Sequence, residues 1–218
     1  EDLKTYPSKA DDDLKKLLAL NVSVIFIPDY NELFSSKFSF SIIENSLSNC
    51  LEGQKRPDFF SGVLTIIVKL FNIINPSSAF FGKKDPQQLL IIKKLCEDLN
   101  FNIKIISCST VREKNGLAMS SRNNYLSASE RENASVIYLS LLKAKSLIKK
   151  NIFSIDVIQK KMEQTLLQCP NLKIDYISFS DPISLLELKK SLNKNTLISI
   201  AVFIGKTRLI DSFFYTDN

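Results

Sequence analysis

Ser78-Ala79-Phe80-Phe81 is a short apolar run, and the residues after it leave the chain little freedom. Gly82-Lys83-Lys84 makes a tight polar turn, Asp85 can cap a helix, and Pro86 suits the first helical position. Gln88 stands where a capping-box partner would. Leu89, Ile92, Cys96 and Leu99 fall on one helical face, which predicts a helix over 85–99. A second apolar strand is expected over 101–106. Strand, capped helix and strand in that order form a crossover unit. The natural architecture is therefore a parallel sheet with helices on its faces.

The flanking sequence extends this pattern. Leu14, Leu17, Leu18 and Leu20 follow three aspartates and predict a short amphipathic helix over 11–20. The run 22–27 is apolar and stopped by Pro28, most simply a buried strand. A further helix is expected over 62–74, ending before Pro76. After Ser109 the texture changes. Residues 111–122 read as a polar loop, and Ser127-Ala128-Ser129-Glu130 as a capping box. That box opens one long helix, with Ala134, Ile137, Tyr138, Leu141 and Ile148 on its apolar face. A helix over 155–167 and strands over 174–179, 196–204 and 207–210 follow, with Gly205-Lys206 as a hairpin turn. The reading is α/β: a parallel-sheet domain over 1–109, then a smaller α+β domain over 110–218.

Composition narrows the chemistry. The chain contains no histidine. A Ser-His-Asp or Cys-His nucleophile, a histidine general base and a histidine-ligated metal are all excluded. Catalysis has to run on Lys, Arg, Asp, Glu, Gln and backbone amides. The net charge of +6 comes from scattered lysines without an Arg-rich run, so it reads first as drift in composition, with an anionic small ligand second and nucleic acid a distant third. Cys50, Cys96, Cys108 and Cys169 have no paired spacing, which fits free thiols in a reducing cytoplasm. No apolar run reaches the ~18 residues of a membrane span, and no membrane partner is expected.

Two stretches can carry chemistry. In an open parallel sheet, ligands bind beyond the carboxyl ends of the strands, where Gly82-Lys83-Lys84-Asp85 lies. The turn offers an anion backbone amides and two ammonium groups, and Asp85 can grip a ribose hydroxyl. The plainer alternative is a surface turn with a helix cap. Met119-Ser120-Ser121-Arg122 is the second stretch, where two hydroxyls and a guanidinium suit phosphate oxygens. Its plainer alternative is a polar loop whose Arg122 pairs with a carboxylate such as Glu113. Together they point to a nucleotide held between a sheet edge and a loop. Gln88 reads as a cap, as an amide facing a substrate, or as both. Arg56-Pro57 reads as a rigid turn, and Lys143, Lys145, Lys149 and Lys150 as a solvated helix face.

These blocks occur in a distinctive order. Leu51-Glu52-Gly53, Arg56-Pro57, Gly62-Val63 and Lys69-Leu70-Phe71-Asn72 lead to Phe81-Gly82-Lys83-Lys84-Asp85 with Gln87-Gln88-Leu89. Val111-Arg112-Glu113, Gly116 through Asn123, Tyr125-Leu126-Ser127 and Arg208-Leu209-Ile210-Asp211 follow. The sequence resembles the pantothenate synthetase (pantoate–β-alanine ligase) family from Glu1-Asp2-Leu3 and Tyr6-Pro7 onward. The resemblance implies a Rossmann-like first domain and ATP-dependent condensation of pantoate with β-alanine. Pantoyl adenylate is the intermediate, and AMP and pyrophosphate are released. It further implies ATP contacts at Gly82, Lys83, Lys84, Asp85, Val111, Met119, Ser120, Ser121 and Arg122. Lys84 and Arg122 would be catalytic and Gln88 would contact pantoate. Mg²⁺ would accompany ATP without protein metal ligands, and the protein would be a cytoplasmic homodimer.

Two departures qualify the resemblance. The family's opening segment carries an HxGH-type motif and another pantoate glutamine, and Glu1 begins after both. The sequence therefore leaves open a synthetase whose N-terminal segment lies upstream, or a catalytically inactive remnant with part of a nucleotide site. The family pattern R-P-x-H-F reads Arg56-Pro57-Asp58-Phe59-Phe60 here, and Phe59 cannot donate a hydrogen bond.

Overall fold

The computed structural model describes residues 10–216, so the stretches Glu1-Asp2-Leu3 and Tyr6-Pro7 lie outside the described residues. The chain divides into two compact units, residues 1–41 and 42–218. In the first, α1 (Ala10–Ala19) forms as expected, with Asp11, Asp12 and Asp13 in its first turn, where carboxylates favour the helix dipole. A single turn, α2 (Tyr30–Leu33), is closed by a capping box between Asp29 and Glu32. The strand expected over 22–27 does not form. A strand exists by giving its backbone groups to a neighbour, and no described strand runs beside this one. Val24 and Ile27 are accordingly exposed.

The second unit starts with α3 (Leu51–Lys55) and α4 (Phe59–Ile74). Asn75 ends α4 in the left-handed conformation, its N–H bonding Phe71 O at 2.8 Å, which satisfies a terminal carbonyl. The crossover unit follows as read: β1 (Ser78–Gly82), α5 (Pro86–Asp98) and β2 (Lys104–Cys108). The strands pair in parallel from Ser78↔Lys104 to Gly82↔Cys108. Leu89, Ile92 and Cys96 are buried, but Leu99 is exposed because the helix stops at Asp98; Ile91 and Leu95 complete the apolar face. This face packs with Phe60, Leu64, Phe71 and Ile103 into one core, which also takes Leu185 and Leu197.

Beyond β2, the single long helix expected after the Ser127 box divides into α6 (Ala128–Asn133) and α7 (Val136–Ile148). Ser135 N bonds Glu132 O and Ile137 N bonds Ala134 O, so three-residue spacing replaces the α ladder at the junction. After α8 (Ile155–Leu166), β3 (Leu172–Ser180), β4 (Asn195–Ile204) and β5 (Thr207–Thr216) form an antiparallel sheet in the order β3-β4-β5. Gly205, at φ +56°, makes the two-residue hairpin between β4 and β5. β4 is almost entirely buried, and with α7 and α8 it builds a second core around Ile137, Leu141, Ile158, Met162 and Ile200.

Candidate active site

Gly82 and Cys108 end the two parallel strands side by side, and Lys83 N donates to Cys108 O at 2.8 Å. This bond holds the turn at the sheet's carboxyl edge. Among the described residues, a methyl group at Gly82 would meet nothing closer than Lys84 N at 4.0 Å, so their packing does not require glycine there. Open space over bare backbone admits the close approach of a ligand. Asp85 caps α5, its Oδ1 accepting from Gln88 N at 3.1 Å. The reciprocal half of the box is absent, and the Gln88 side-chain amide has no hydrogen-bond partner among the described residues. Gln87 is the locally structural glutamine. It is buried, accepts from Glu52 N at 2.9 Å and donates to the carbonyls of Leu47 and Cys50 at 2.7 and 2.8 Å.

Burial governs the two charges in this turn. The Asp85 carboxyl is enclosed although the residue keeps some surface, and burial pushes it up to about 6. The Gln88 N–H, Lys84 and Arg56 pull it back, while Glu52 adds repulsion. Burial likewise lowers the Lys84 ammonium, helped by Arg122 and opposed by Asp85, Asp211 and Glu52. Lys84 has no hydrogen bond to its ammonium among the described residues. A partly desolvated cation without a partner is a place where an anion regains what burial took away.

The loop after β2 folds back on itself. Met119 N donates to Val111 O at 2.9 Å, Glu113 N to Leu117 O at 2.8 Å, and Arg112 pairs with Ala118. Val111 and Met119 are thereby neighbours, and both are exposed. Two adjacent apolar side chains in water suit the face of a flat ring. Gly116, at φ +93°, turns the loop; a methyl there would lie 2.6 Å from Tyr138 Cδ1. Ser120 Oγ accepts from Arg122 N at 3.3 Å and opens a 3₁₀ turn over Ser121–Tyr125. Glu113, the carboxylate that the sequence offers to Arg122, is held instead by Arg131 at 2.8 and 2.9 Å and by Asn123 at 2.6 Å. These bonds, Arg131 first, keep it below the usual carboxylate range. The two stretches are joined through β5, where Ser212 Oγ bonds the Lys83 and Lys84 carbonyls and the adjacent Asp211 bonds Arg112; the Arg122 charge is among the smaller influences that lower Lys84.

Comparison with known families settles the relationship: the pantoate-beta-alanine ligase model matches residues 1–214. The chain belongs to the pantoate–β-alanine ligase family. It is 42% identical to the pantothenate synthetase of Clostridium botulinum over 99% of this chain and 76% of that protein. The Thermodesulfovibrio yellowstonii enzyme is 45% identical over 97% and 75%. A pantothenate synthetase crystal structure from Thermus thermophilus superposes with a TM-score of 0.92 at 33% identity, covering 98% of this chain and 77% of that one. A Francisella tularensis pantoate–β-alanine ligase, solved with β,γ-ATP and β-alanine, gives 0.77 at 34% identity over 97% and 72%. The chain spans about three quarters of the length of these ligases.

Sequence reasoning missed the polar cluster that braces this ligase fold. Glu52 is buried; it accepts from Tyr176 Oη at 2.7 Å and from both Arg208 amino groups at 2.5 and 2.9 Å. Arg208 also donates to Asp175 at 3.0 and 2.8 Å. The partners are up to 156 residues apart, so no local spacing announces them. At the position where the ligase family usually has histidine, the Phe59 ring lies 3.7 Å from the Arg56 guanidinium. A cation–π contact stands there instead of a hydrogen bond. Among the described residues, no group of three Cys, Asp or Glu could hold a metal, and no helix is long and apolar enough to cross a membrane.

Proposed function

We propose that this ligase binds ATP between the Gly82–Asp85 turn and the Val111–Arg122 loop and joins pantoate to β-alanine. The observation that carries the reading is that the two loops share one support, Ser212 Oγ bonding the carbonyls of Lys83 and Lys84 while the adjacent Asp211 grips Arg112. The pantoate carboxylate attacks the α-phosphate, forming an acyl–phosphate bond as the bond to pyrophosphate breaks. The amine of β-alanine then attacks the acyl carbon, loses a proton and displaces AMP. Lys84 and Arg122 offset the charge that develops on the phosphate oxygens, a task for which preorganised cations are effective. The Gly82 backbone lets the nucleotide approach, and Lys83, Ser120 and Ser121 supply further donors. Asp85 takes a ribose hydroxyl, Val111 and Met119 flank the base, and the unengaged amide of Gln88 faces pantoate.

Magnesium fits this reading as an ion carried by the phosphates. It would shield their charge, since no carboxylate cage of the protein's own stands among the described residues. The domain division belongs to the same proposal, with 1–109 carrying the turn and 110–218 the loop. The two apolar cores, drawn mainly from either side of Ser109, support it. A cytoplasmic homodimer is the assembly and location that the family resemblance favours. The test is AMP release by the protein supplied with pantoate, β-alanine and ATP. Release that requires all three, with pantothenate formed in equal amount, supports the proposal. ATP cleavage indifferent to pantoate contradicts it.

A further inference from the structure

Both candidate ATP loops rest on two consecutive residues of the distant strand β5. Asp211 and Ser212 are buried, at 2% and 6% exposure. Asp211 grips Arg112 with both oxygens, Nη1 to Oδ2 at 2.6 Å and Nη2 to Oδ1 at 3.1 Å, across 99 residues of sequence. Arg112 Nη1 also donates to Gly116 O at 3.1 Å, and its guanidinium lies 3.8 Å from the Tyr138 ring centre. The Arg112 backbone is bridged to Ala118, between Val111 and Met119 in the folded loop. One buried carboxylate thus fixes both arms of the loop that leads to Arg122. Ser212 acts on the other loop. Its Oγ shares its proton between the carbonyls of Lys83 and Lys84, at 3.3 and 3.5 Å. Ser212 N in turn donates to Asp211 Oδ1 at 2.8 Å, tying the two braces together.

A buried Arg–carboxylate pair is weak evidence of stabilisation, since well-packed apolar residues often serve a fold as well. What such a pair does supply is a planar, two-bond geometry with little angular freedom. Asp211 is too enclosed to meet a nucleotide, yet the Lys84 ammonium feels its charge. We propose that Asp211 and Ser212 are positioning residues of the ATP site, Asp211 aligning the Arg122 loop through Arg112 and Ser212 aligning the Lys84 turn through its carbonyls. This inference rests on the nucleotide reading above and adds to it the pair that sets the spacing of the two cations.

ATP titration of the 218-residue chain by calorimetry tests it, with wild type, Asp211→Asn, Ser212→Ala, Arg122→Ala and the Asp211→Asn/Arg122→Ala double variant. Asp211→Asn preserves shape and the bond from Ser212 N but loses the charge fork. Misplacing one cation should weaken ATP by about tenfold or more. Ser212→Ala should weaken it by about threefold or more. A role confined to stability would lower the melting temperature and leave ATP affinity of the folded protein alone. In the double variant, the effect of Asp211→Asn should largely disappear, because Arg122 is the group through which it acts. If Asp211→Asn does not fold, Ser212→Ala decides the matter. A wild type that binds ATP alongside folded variants within about twofold of it, or full multiplicative losses in the double variant, overturns the inference. A wild type that binds no ATP overturns the nucleotide reading itself, and this inference with it.

Discussion

Replacing Asp85 by Asn should make the protein more stable at neutral pH while weakening its hold on ATP. Burial lifts the Asp85 carboxyl from 3.8 to about 6, a value that already includes the attraction of Lys84 and Arg56. The sign follows from proton binding. Between roughly pH 4 and 6 the native state binds more protons at this site than the unfolded chain, so stability falls as pH rises through that window. Above it, the folded protein carries the full cost of a buried carboxylate. A rise of about two pKa units corresponds to about 3 kcal/mol, an upper bound for what neutralisation returns. Asn still offers an oxygen to Gln88 N, so the cap on α5 is kept. Urea unfolding of wild type and variant at about pH 4 and about pH 7.5, compared as a difference, cancels the other titrating groups. The difference should be near zero in acid and favour Asn by about 1–3 kcal/mol at neutral pH. A wild type more stable than the variant at neutral pH, or a gap that ignores pH, would refute the reasoning.

Three further outcomes are expected. Lys84→Ala and Arg122→Ala should each weaken ATP by about 1.5–3 kcal/mol, the worth of a charge-assisted contact, read by calorimetric titration. Gly116→Ala should cost about 1–3 kcal/mol of stability, because its φ of +93° and its contact with Tyr138 both penalise a methyl; thermal unfolding reads this. Glu52→Ala leaves Arg208 with Asp175 alone and takes the partner of the Tyr176 hydroxyl, and should cost about 1–3 kcal/mol in denaturant unfolding.

The crossover unit and both loops were legible in the sequence because their signals are local. Asp85, Pro86 and the apolar face of α5 lie within one helix, and Gly205-Lys206 sits between two runs of strand formers. The strand expected over 22–27 shows the limit, since apolar content marks a segment for burial but only a neighbouring strand makes it a strand. Leu99 looked like core because the helical period continues through it, whereas the helix ends one residue earlier. Gln88 drew attention by its capping position, yet Gln87 carries the buried hydrogen bonds, a choice made by Glu52, Leu47 and Cys50 from outside the helix. Asp211 ends one of the family-like blocks and Ser212 lies just outside it, but nothing in the sequence named their partners. Their partners lie about a hundred residues away, and only folding brings them together.

Hydrogen exchange of the protein with and without saturating ATP tests most directly whether one nucleotide is held by two loops at once. Amides in 82–88 and in 111–122 should slow together, over the same range of ATP concentration, with β3 unaffected. Protection of only one stretch, or of neither while ATP is bound, would contradict a site shared between them.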